Sequence, residues 1–105
     1  MVERTLLVTA RLGLHARAAA KLVRVANGFR SQVVLQRVDV AVTGASAFAD
    51  GSADAKSILS ILMLAATCGT QLRARAEGVD EEAAITAIEK LFAVGFGDTE
   101  PENPQ

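Results

Sequence analysis

The sequence is poor in cysteine, in aromatic residues and in net charge. Cys68 is the only cysteine among 105 residues, so neither an internal disulfide nor a cysteine metal cluster can form. Tryptophan and tyrosine are absent, and four phenylalanines are too few for a surface on which nucleic-acid bases stack. The net charge of −1 provides no basic footprint either. These absences argue against nucleic-acid binding, and we expect no bound metal and no cofactor.

Long apolar runs are also missing. No apolar segment approaches the roughly 18 residues that a membrane span needs. The first residues pass directly into a strand pattern rather than into a signal peptide. The sequence therefore predicts a cytoplasmic protein.

The remaining composition is typical of one small globular domain. Apolar residues make up 50% of the chain and charged residues 22%, and the length allows a single core. Because aromatic residues are scarce, this core depends on Val, Leu, Ile and Ala. Cys68 lies close to Ala66 and Gly69, and we expect it to be a buried small apolar residue.

The first half of the chain predicts two strands and one helix. Residues 2–9 are rich in Val, Leu and Thr and predict a strand that Gly13 interrupts. Apolar residues at helical spacing predict a helix over residues 16–26, which ends at Asn27 and Gly28. Residues 33–43 predict a second strand, of which residues 38–42 form a continuation or a hairpin partner. The small, polar residues 44–54 have the composition of a loop.

The second half predicts two helices around a further strand. Ser57 is placed to cap an apolar helix that stops before Gly69. Residues 71–76 alternate between polar and apolar, as in a sheet with one wet and one buried face. Asp80 is placed to cap a last helix, whose buried face comprises Ala84, Ile85, Ile88, Leu91 and Phe92. Residues 96–105 are expected to be a disordered tail, which leaves residues 1–95 as the folded domain.

This order of elements, β-α-β-β-α-β-α, predicts an α+β protein. The expected architecture is an open-faced, two-layer β-sandwich: a four-stranded antiparallel sheet with three helices covering one face.

His15, the only histidine, lies where the first helix begins. Imidazole is suited to accepting and releasing a phosphoryl group near neutral pH. The free N–H groups of a helix start suit phosphate oxygens, and Arg17 follows two residues later. Chemistry alone leaves open that His15 merely ends a loop.

Five short motifs in this order resemble the HPr family of histidine-containing phosphocarriers in the bacterial phosphotransferase system. The resemblance extends from Val2 to Phe92, and the fold of that family agrees with the predicted element order. The motifs are Gly13-Leu14-His15-Ala16-Arg17, Ala19-Ala20-Lys21-Leu22-Val23, Ala55-Lys56-Ser57-Ile58-Leu59, Met63-Leu64-Ala65-Ala66, and Gly69-Thr70 with Ala76-Glu77-Gly78.

The resemblance implies a stoichiometric phosphoryl carrier without turnover of its own. His15 would accept phosphate on Nδ1 from Enzyme I and pass it to a IIA component. The backbone N–H groups of Ala16 and Arg17 and the Arg17 guanidinium would bind the phosphate. The family also suggests a monomer.

Ser57 is a second candidate site. In many family members the serine at this place is phosphorylated by an ATP-dependent HPr kinase, whereas the simpler interpretation is an N-cap alone. The following helix is more apolar than a solvated helix should be, which indicates a docking surface. The expected docking residues are Leu14, Ala20, Ile58, Ile61, Leu62 and Met63, and Phe48 could join them.

Two features depart from the family pattern. Most relatives have proline where this chain has Ala18, which gives the first helical turn an extra donor and more freedom around His15. The chain between Ser31 and Ser57 is longer than the compact hairpin of the relatives, and the excess lies in the extension 38–43 and in the loop within residues 44–54. This loop shields Ser57, adds a partner contact or is inert.

Three other functions remain open from the sequence. One is a carrier in a regulatory, nitrogen-related relay, and another is an adaptor that binds partners without using His15. The third is a small nucleic-acid-binding domain, for which Arg73 and Arg75 are the only indication.

Overall fold

In a computed structural model, the structure describes residues 1–38, 52–64 and 66–97. Its elements are β1 (Val2–Leu7), α1 (Ala16–Ala26), β2 (Gln32–Arg37), β3 (Ser52–Asp54), α2 (Ile58–Leu64), β4 (Gln71–Glu77), α3 (Glu81–Ala93) and a 3₁₀ turn (Gly95–Gly97). The strands form one antiparallel sheet in the order β1-β4-β2-β3. The predicted α+β open-faced sandwich is confirmed.

Alternation along β4 defines the two faces of the sheet. Leu72, Ala74 and Ala76 are buried, while the residues between them are exposed. β4 pairs with β1 on one side and with β2 on the other. The predicted strand is therefore correct, and its apolar side forms part of the core beneath the helices.

The helix α1 has the predicted bounds. Ala18, Ala19, Leu22 and Ala26 are buried along one side of it. At its end the Asn27 N–H donates to the Val23 carbonyl at 2.9 Å, and the Asn27 side-chain amide donates to the same oxygen at 3.0 Å. A run rich in alanine, without proline or β-branched residues in its first turns, accounts for this helix.

The hairpin after α1 differs from the prediction. β2 ends at Arg37 rather than at residue 43, and residues 52–54, expected in a loop, form β3 against residues 34–36. Ser, Ala and Asp have little strand preference, so pairing with β2 and not local sequence determines this strand. The expected strand at residues 39–42, most of the expected loop and Phe48 lie outside the described residues.

Asp80 precedes α3 as expected, but its side chain does not cap that helix. Its carboxylate accepts hydrogen bonds from the N–H groups of Arg30 and Ser31, both at 2.9 Å, and from the Ser31 hydroxyl at 2.5 Å. Asp80 thus joins the turn before β2 to the start of α3. The neighbouring carboxylate, that of Glu81, accepts from the N–H of Gly78, which lies before α3, at 3.1 Å.

Folding stability should depend on the ionisation of Asp80. The hydrogen bonds from the Ser31 hydroxyl and from the backbone of Arg30 lower the pKa of Asp80 from 3.8 to about 2. These hydrogen bonds stabilise the ionised form of Asp80 in the folded state. The contribution of Asp80 to the free energy of unfolding is therefore complete above pH 3.8 and is lost as the pH falls towards 2. We expect Asp80→Asn to lower the urea midpoint at pH 7 and the difference from wild type to shrink below pH 3.8.

Glu82→Gln is the matched control for that prediction. This substitution also removes a carboxylate at the start of α3, but the Glu82 carboxylate lies against Arg4 and not against Ser31. An Asp80→Asn variant as stable as wild type at pH 7, or no more destabilised than Glu82→Gln, would contradict the role given to Asp80.

Phe96, which belongs to the expected tail, packs with the core of the described residues. Phe96 is 1% exposed, and its ring meets that of Phe92 edge-on, with centroids 4.9 Å apart. Its carbonyl accepts from the Lys21 ammonium at 2.6 Å. The backbone of Phe96 is left-handed, with φ +57°. A single aromatic residue beyond a helix belongs to no periodic pattern, so the sequence could not predict this packing. Residues 98–105 lie outside the described residues.

Candidate functional site

His15 occupies the N-cap position of α1. Its backbone is extended, with φ −77° and ψ −177°, and its carbonyl accepts the first helical bond from the Ala19 N–H at 2.8 Å. The ring nitrogen Nδ1 accepts from the Arg17 N–H at 3.3 Å. The side chain is partly exposed. The only imidazole of the chain therefore lies at the helix start and remains accessible to solvent.

This hydrogen bond distinguishes the two ring nitrogens. An amide N–H can only donate, so Nδ1 must present its lone pair, and a neutral ring then carries its proton on Nε2. Nδ1 is therefore the nitrogen with an available lone pair, and it points to the end of α1 where backbone N–H groups lack helical acceptors. The geometry suits a group that exchanges a phosphoryl group beside anion-binding donors.

Ala16 and Arg17 form the first turn of α1, and both are exposed. The Ala19 N–H donates the first hydrogen bond of the helix, so the N–H groups of Ala16 and Arg17, which come before it, have no helical acceptor. Arg17 belongs to the turn that His15 caps, so its side chain adds positive charge to that of the helix end. Both residues begin α1, and their binding of phosphate stays a prediction.

Ala18 is buried, with 1% exposure, behind this turn. The helix begins at Ala16 without the proline that the family pattern has at residue 18. Alanine is the best helix former, so the departure leaves the helix start intact.

Gly13 positions the backbone that leads into His15. Its φ is +70°, and a Cβ atom at this residue would lie 2.5 Å from the Ala66 oxygen and 2.8 Å from the Thr67 Cα. Next to it, the Leu14 N–H donates to the same Ala66 oxygen at 2.9 Å. The close approach and the left-handed conformation both require glycine.

The opposing segment, residues 66–70, is named here the 66–70 turn. The Gly69 N–H donates to the Val8 carbonyl at 2.8 Å, and the Val8 N–H donates to the Thr70 carbonyl at 2.9 Å. These bonds extend the pairing of β1 and β4. The sequence indicates Gly69 as the residue before which a helix stops and as part of a family motif with Thr70, but nothing in the local pattern indicates that this turn contacts Gly13.

Cys68 is exposed in the 66–70 turn, so the expectation of a buried residue is wrong. Its small apolar neighbours suggested an interior position. Ala66 is indeed buried, but the chain then turns outward before β4 begins.

Ser57 caps α2, as predicted. Its hydroxyl accepts from the Ser60 N–H at 3.3 Å, and its carbonyl accepts from the Ile61 N–H at 3.1 Å. The preceding turn is held by Asp54, which accepts from the Lys56 N–H at 2.9 Å through its carboxylate. Ser57 itself is partly exposed.

The exposed side of α2 is apolar. We call Ile58, Leu59, Leu62 and Met63 the α2 patch; they are 43%, 64%, 39% and 55% exposed. Leu59 was absent from the expected docking residues, although its spacing of four from Met63 places it on this side. Ala20 on α1 is partly exposed.

Two expected docking residues belong to the core instead. Ile61 is fully buried and Leu14 is 5% exposed, so neither can contact a partner through its side chain. Ile61 lies with Leu64 on the inner side of α2, which an apolar run along the whole helix did not reveal.

One of the two arginines that β4 presents on the open face of the sheet is paired with a carboxylate. Arg75 Nε lies 2.8 Å from a carboxylate oxygen of Glu3 on the neighbouring strand. This pairing weakens the only indication of nucleic-acid binding.

Within the described residues, His, Cys, Asp and Glu form no group of three that could hold a metal ion. The longest helix there, α3, has 13 residues, and none is long and apolar enough to cross a membrane.

Comparison with known proteins covers nearly the whole chain. The family profile described as "PTS HPr component phosphorylation site" matches residues 2–93. Phosphocarrier protein HPr of Treponema pallidum is 41% identical over 96 residues, or 91% of this chain and 97% of the relative. Phosphocarrier protein NPr of Escherichia coli K12 is 35% identical, over 90% of this chain and 94% of the relative. A crystal structure of an HPr from Thermoanaerobacter tengcongensis superposes with a TM-score of 0.81 at 34% identity, covering 95% of this chain and all of the other.

Proposed function

Because the chain belongs to the HPr family of phosphotransferase-system phosphocarriers, we propose that His15 receives a phosphoryl group from Enzyme I and passes it to a IIA component. The observation that carries this proposal is the placement of Nδ1, with its lone pair directed to the start of α1. Arg17 supplies positive charge beside it. The protein acts as a stoichiometric carrier.

The exchange is balanced without an additional reactant. The Nδ1 lone pair attacks the phosphorus atom of the phosphohistidine of Enzyme I, and a new N–P bond forms. The N–P bond of the donor breaks, and its electron pair returns to the departing imidazole. Nε2 of His15 keeps its proton throughout. In the second transfer His15 is the donor: a histidine of the IIA component attacks the phosphorus atom, and the N–P bond at Nδ1 breaks.

Donors at the helix start would stabilise the transferred group. The Arg17 N–H, which donates to Nδ1 in the free protein, would donate to a phosphoryl oxygen once Nδ1 is bonded to phosphorus. Charge-assisted bonds from the Arg17 guanidinium add to this. Since these donors are few and exposed, the phosphoryl group remains transferable.

The α2 patch is the proposed docking surface for Enzyme I and the IIA component. Four large apolar side chains are exposed on one short helix, and α2 packs against α1, which carries His15. A partner that covers the patch would place its own histidine near the start of α1.

Labelling the wild-type protein tests the carrier function. The protein is incubated with phosphoenolpyruvate, labelled in its phosphoryl group, and with Enzyme I of the same organism. We expect label that is acid-labile, stable in alkali and located in the peptide containing His15. An active Enzyme I that transfers no label to the folded protein would contradict the proposal.

A carrier in a nitrogen-related relay is the second candidate. It is supported by the similarity to NPr and by Ala18 in place of the family proline. Rates of transfer from the sugar-type and the nitrogen-type Enzyme I distinguish the two candidates, since a specialised carrier should accept from the second at least tenfold faster.

Phosphorylation of Ser57 is a proposed means of regulation. The modification would add roughly two negative charges beside Ile58 of the α2 patch and weaken docking. We expect Ser57→Asp to raise the KM for transfer from Enzyme I several-fold, with little change in kcat. Ser57→Asn is the matched control, because both residues cap a helix and only the first is charged. Equal KM values for the two variants would contradict this role.

We also propose that the carrier works in the cytoplasm as a monomer and that its folded unit comprises residues 1–97. Sedimentation equilibrium of the full chain at micromolar concentration tests the oligomeric state, and a mass of two chains would contradict it.

A further inference from the structure

We infer that Thr70 is a positioning residue for phosphoryl transfer at His15. Its hydroxyl holds the 66–70 turn in the conformation that supports Gly13 and Leu14, the two residues before the histidine. The inference rests on the proposed function, because it assigns a role in the same reaction.

The side chain of Thr70 closes the turn. Its Oγ1 accepts from the Thr67 N–H at 3.2 Å and lies 3.3 Å from the Thr67 hydroxyl. In the other direction, the Thr70 N–H donates to the Thr67 carbonyl at 3.0 Å. The hydroxyl therefore satisfies a backbone donor that the turn itself leaves without a partner.

Thr67 is the residue against which Gly13 packs. The position of a Cβ at Gly13 is 2.8 Å from the Thr67 Cα and 2.5 Å from the oxygen of the preceding Ala66. That oxygen also accepts from the Leu14 N–H at 2.9 Å. A shift of the Ala66–Thr67 peptide thus moves Gly13 and Leu14, and the direction of the His15 side chain follows from their backbone.

The rest of the turn cannot replace this hydrogen bond. Gly69 has φ +96°, and no atom lies within 4 Å of the position of a Cβ there, so packing around it does not restrict its conformation. Cys68 is exposed. The bonds to Val8 hold Gly69 and Thr70, and the Thr70 N–H holds the Thr67 carbonyl, so the Thr67 N–H is the group of the turn that depends on the Thr70 hydroxyl.

Removal of the hydroxyl tests the inference. Thr70→Val keeps the shape of the side chain but cannot accept from the Thr67 N–H. We expect kcat for transfer from phosphorylated Enzyme I to fall about fivefold, as the loss of one such hydrogen bond implies. The KM should stay unchanged, because the α2 patch is intact. Thr70→Ser retains the hydroxyl and should restore kcat to within about twofold of wild type.

Thr9→Val is the matched control. Thr9 lies in the connection between β1 and α1, which also contains Gly13 and Leu14. Its hydroxyl donates to the Phe92 carbonyl at 3.1 Å, away from the 66–70 turn. It should lose stability without the fall in kcat. A kcat of Thr70→Val equal to that of wild type, or a Thr70→Ser variant as slow as Thr70→Val, would overturn the inference.

Hydrogen exchange separates this inference from the proposed function. In Thr70→Val the Leu14 amide, which donates to Ala66, should exchange several-fold faster than in wild type, whether or not the protein carries phosphate. If wild type accepts no phosphoryl group, the proposed function fails. If wild type is active and the Leu14 amide exchanges alike in both proteins, only the inference about Thr70 fails.

Discussion

Replacement of His15 by alanine should abolish phosphoryl transfer while the protein remains folded. No other imidazole exists in the chain, so the variant lacks the ring nitrogen that exchanges phosphate with a phosphohistidine. The structural cost includes the hydrogen bond between Nδ1 and the Arg17 N–H at the start of α1, about 1 kcal/mol. Label transferred from phosphoenolpyruvate should fall to background, and the far-ultraviolet circular dichroism should match that of wild type.

His15→Asn is the control for the helix start. Asparagine is a good N-cap, so its side-chain oxygen can accept the Arg17 N–H while it offers no nucleophilic nitrogen. We expect this variant to be more stable than His15→Ala and equally unable to accept phosphate. Residual label on either variant would show that another residue is the acceptor.

Replacement of Gly13 by alanine should be strongly destabilising and should also impair transfer. The left-handed conformation at φ +70° costs an alanine about 1–2 kcal/mol. Its Cβ would lie 2.5 Å from the Ala66 oxygen, a backbone atom that cannot turn aside, and overpacking of this kind costs about 1–3 kcal/mol. Urea denaturation should therefore show a loss of about 2–5 kcal/mol, with slower transfer because Leu14 and His15 are displaced.

Gly69→Ala separates the two causes. Gly69 also has a positive φ, of +96°, but a Cβ there meets no atom within 4 Å. It should therefore lose stability through backbone strain alone. Equal losses for the two variants would show that the contact between Gly13 and the 66–70 turn is unimportant.

Elements with strong local signals could be predicted from the sequence. The stripe of small apolar residues placed α1 at its observed bounds, and strict alternation placed β4. β3 could not be predicted in this way, because its three residues become a strand only through pairing with β2. The burial of Phe96 and the exposure of Cys68 could not be predicted for a related reason. An isolated residue next to a glycine belongs to no periodic pattern, and only tertiary packing decides whether it is buried or exposed.

The site shows the same division. The type of residue and the helix start identified His15, Arg17 and Ser57 as candidates, since these signals are local. The contact of Gly13 with the 66–70 turn joins residues more than fifty positions apart, so no sequence window contains it. Asp80 shows that even a correct helix position does not determine the partner of a side chain.

The most direct test of the central claim is the position of the N–P bond in the phosphorylated protein. The chain is labelled with ¹⁵N at histidine, phosphorylated through Enzyme I and examined by ¹⁵N and ³¹P NMR for scalar coupling between the two nuclei. The orientation of the ring predicts coupling at Nδ1 of His15 and none at Nε2. Coupling at Nε2, or phosphate found on a hydroxyl such as that of Ser57 with both ring nitrogens unmodified, would contradict the account.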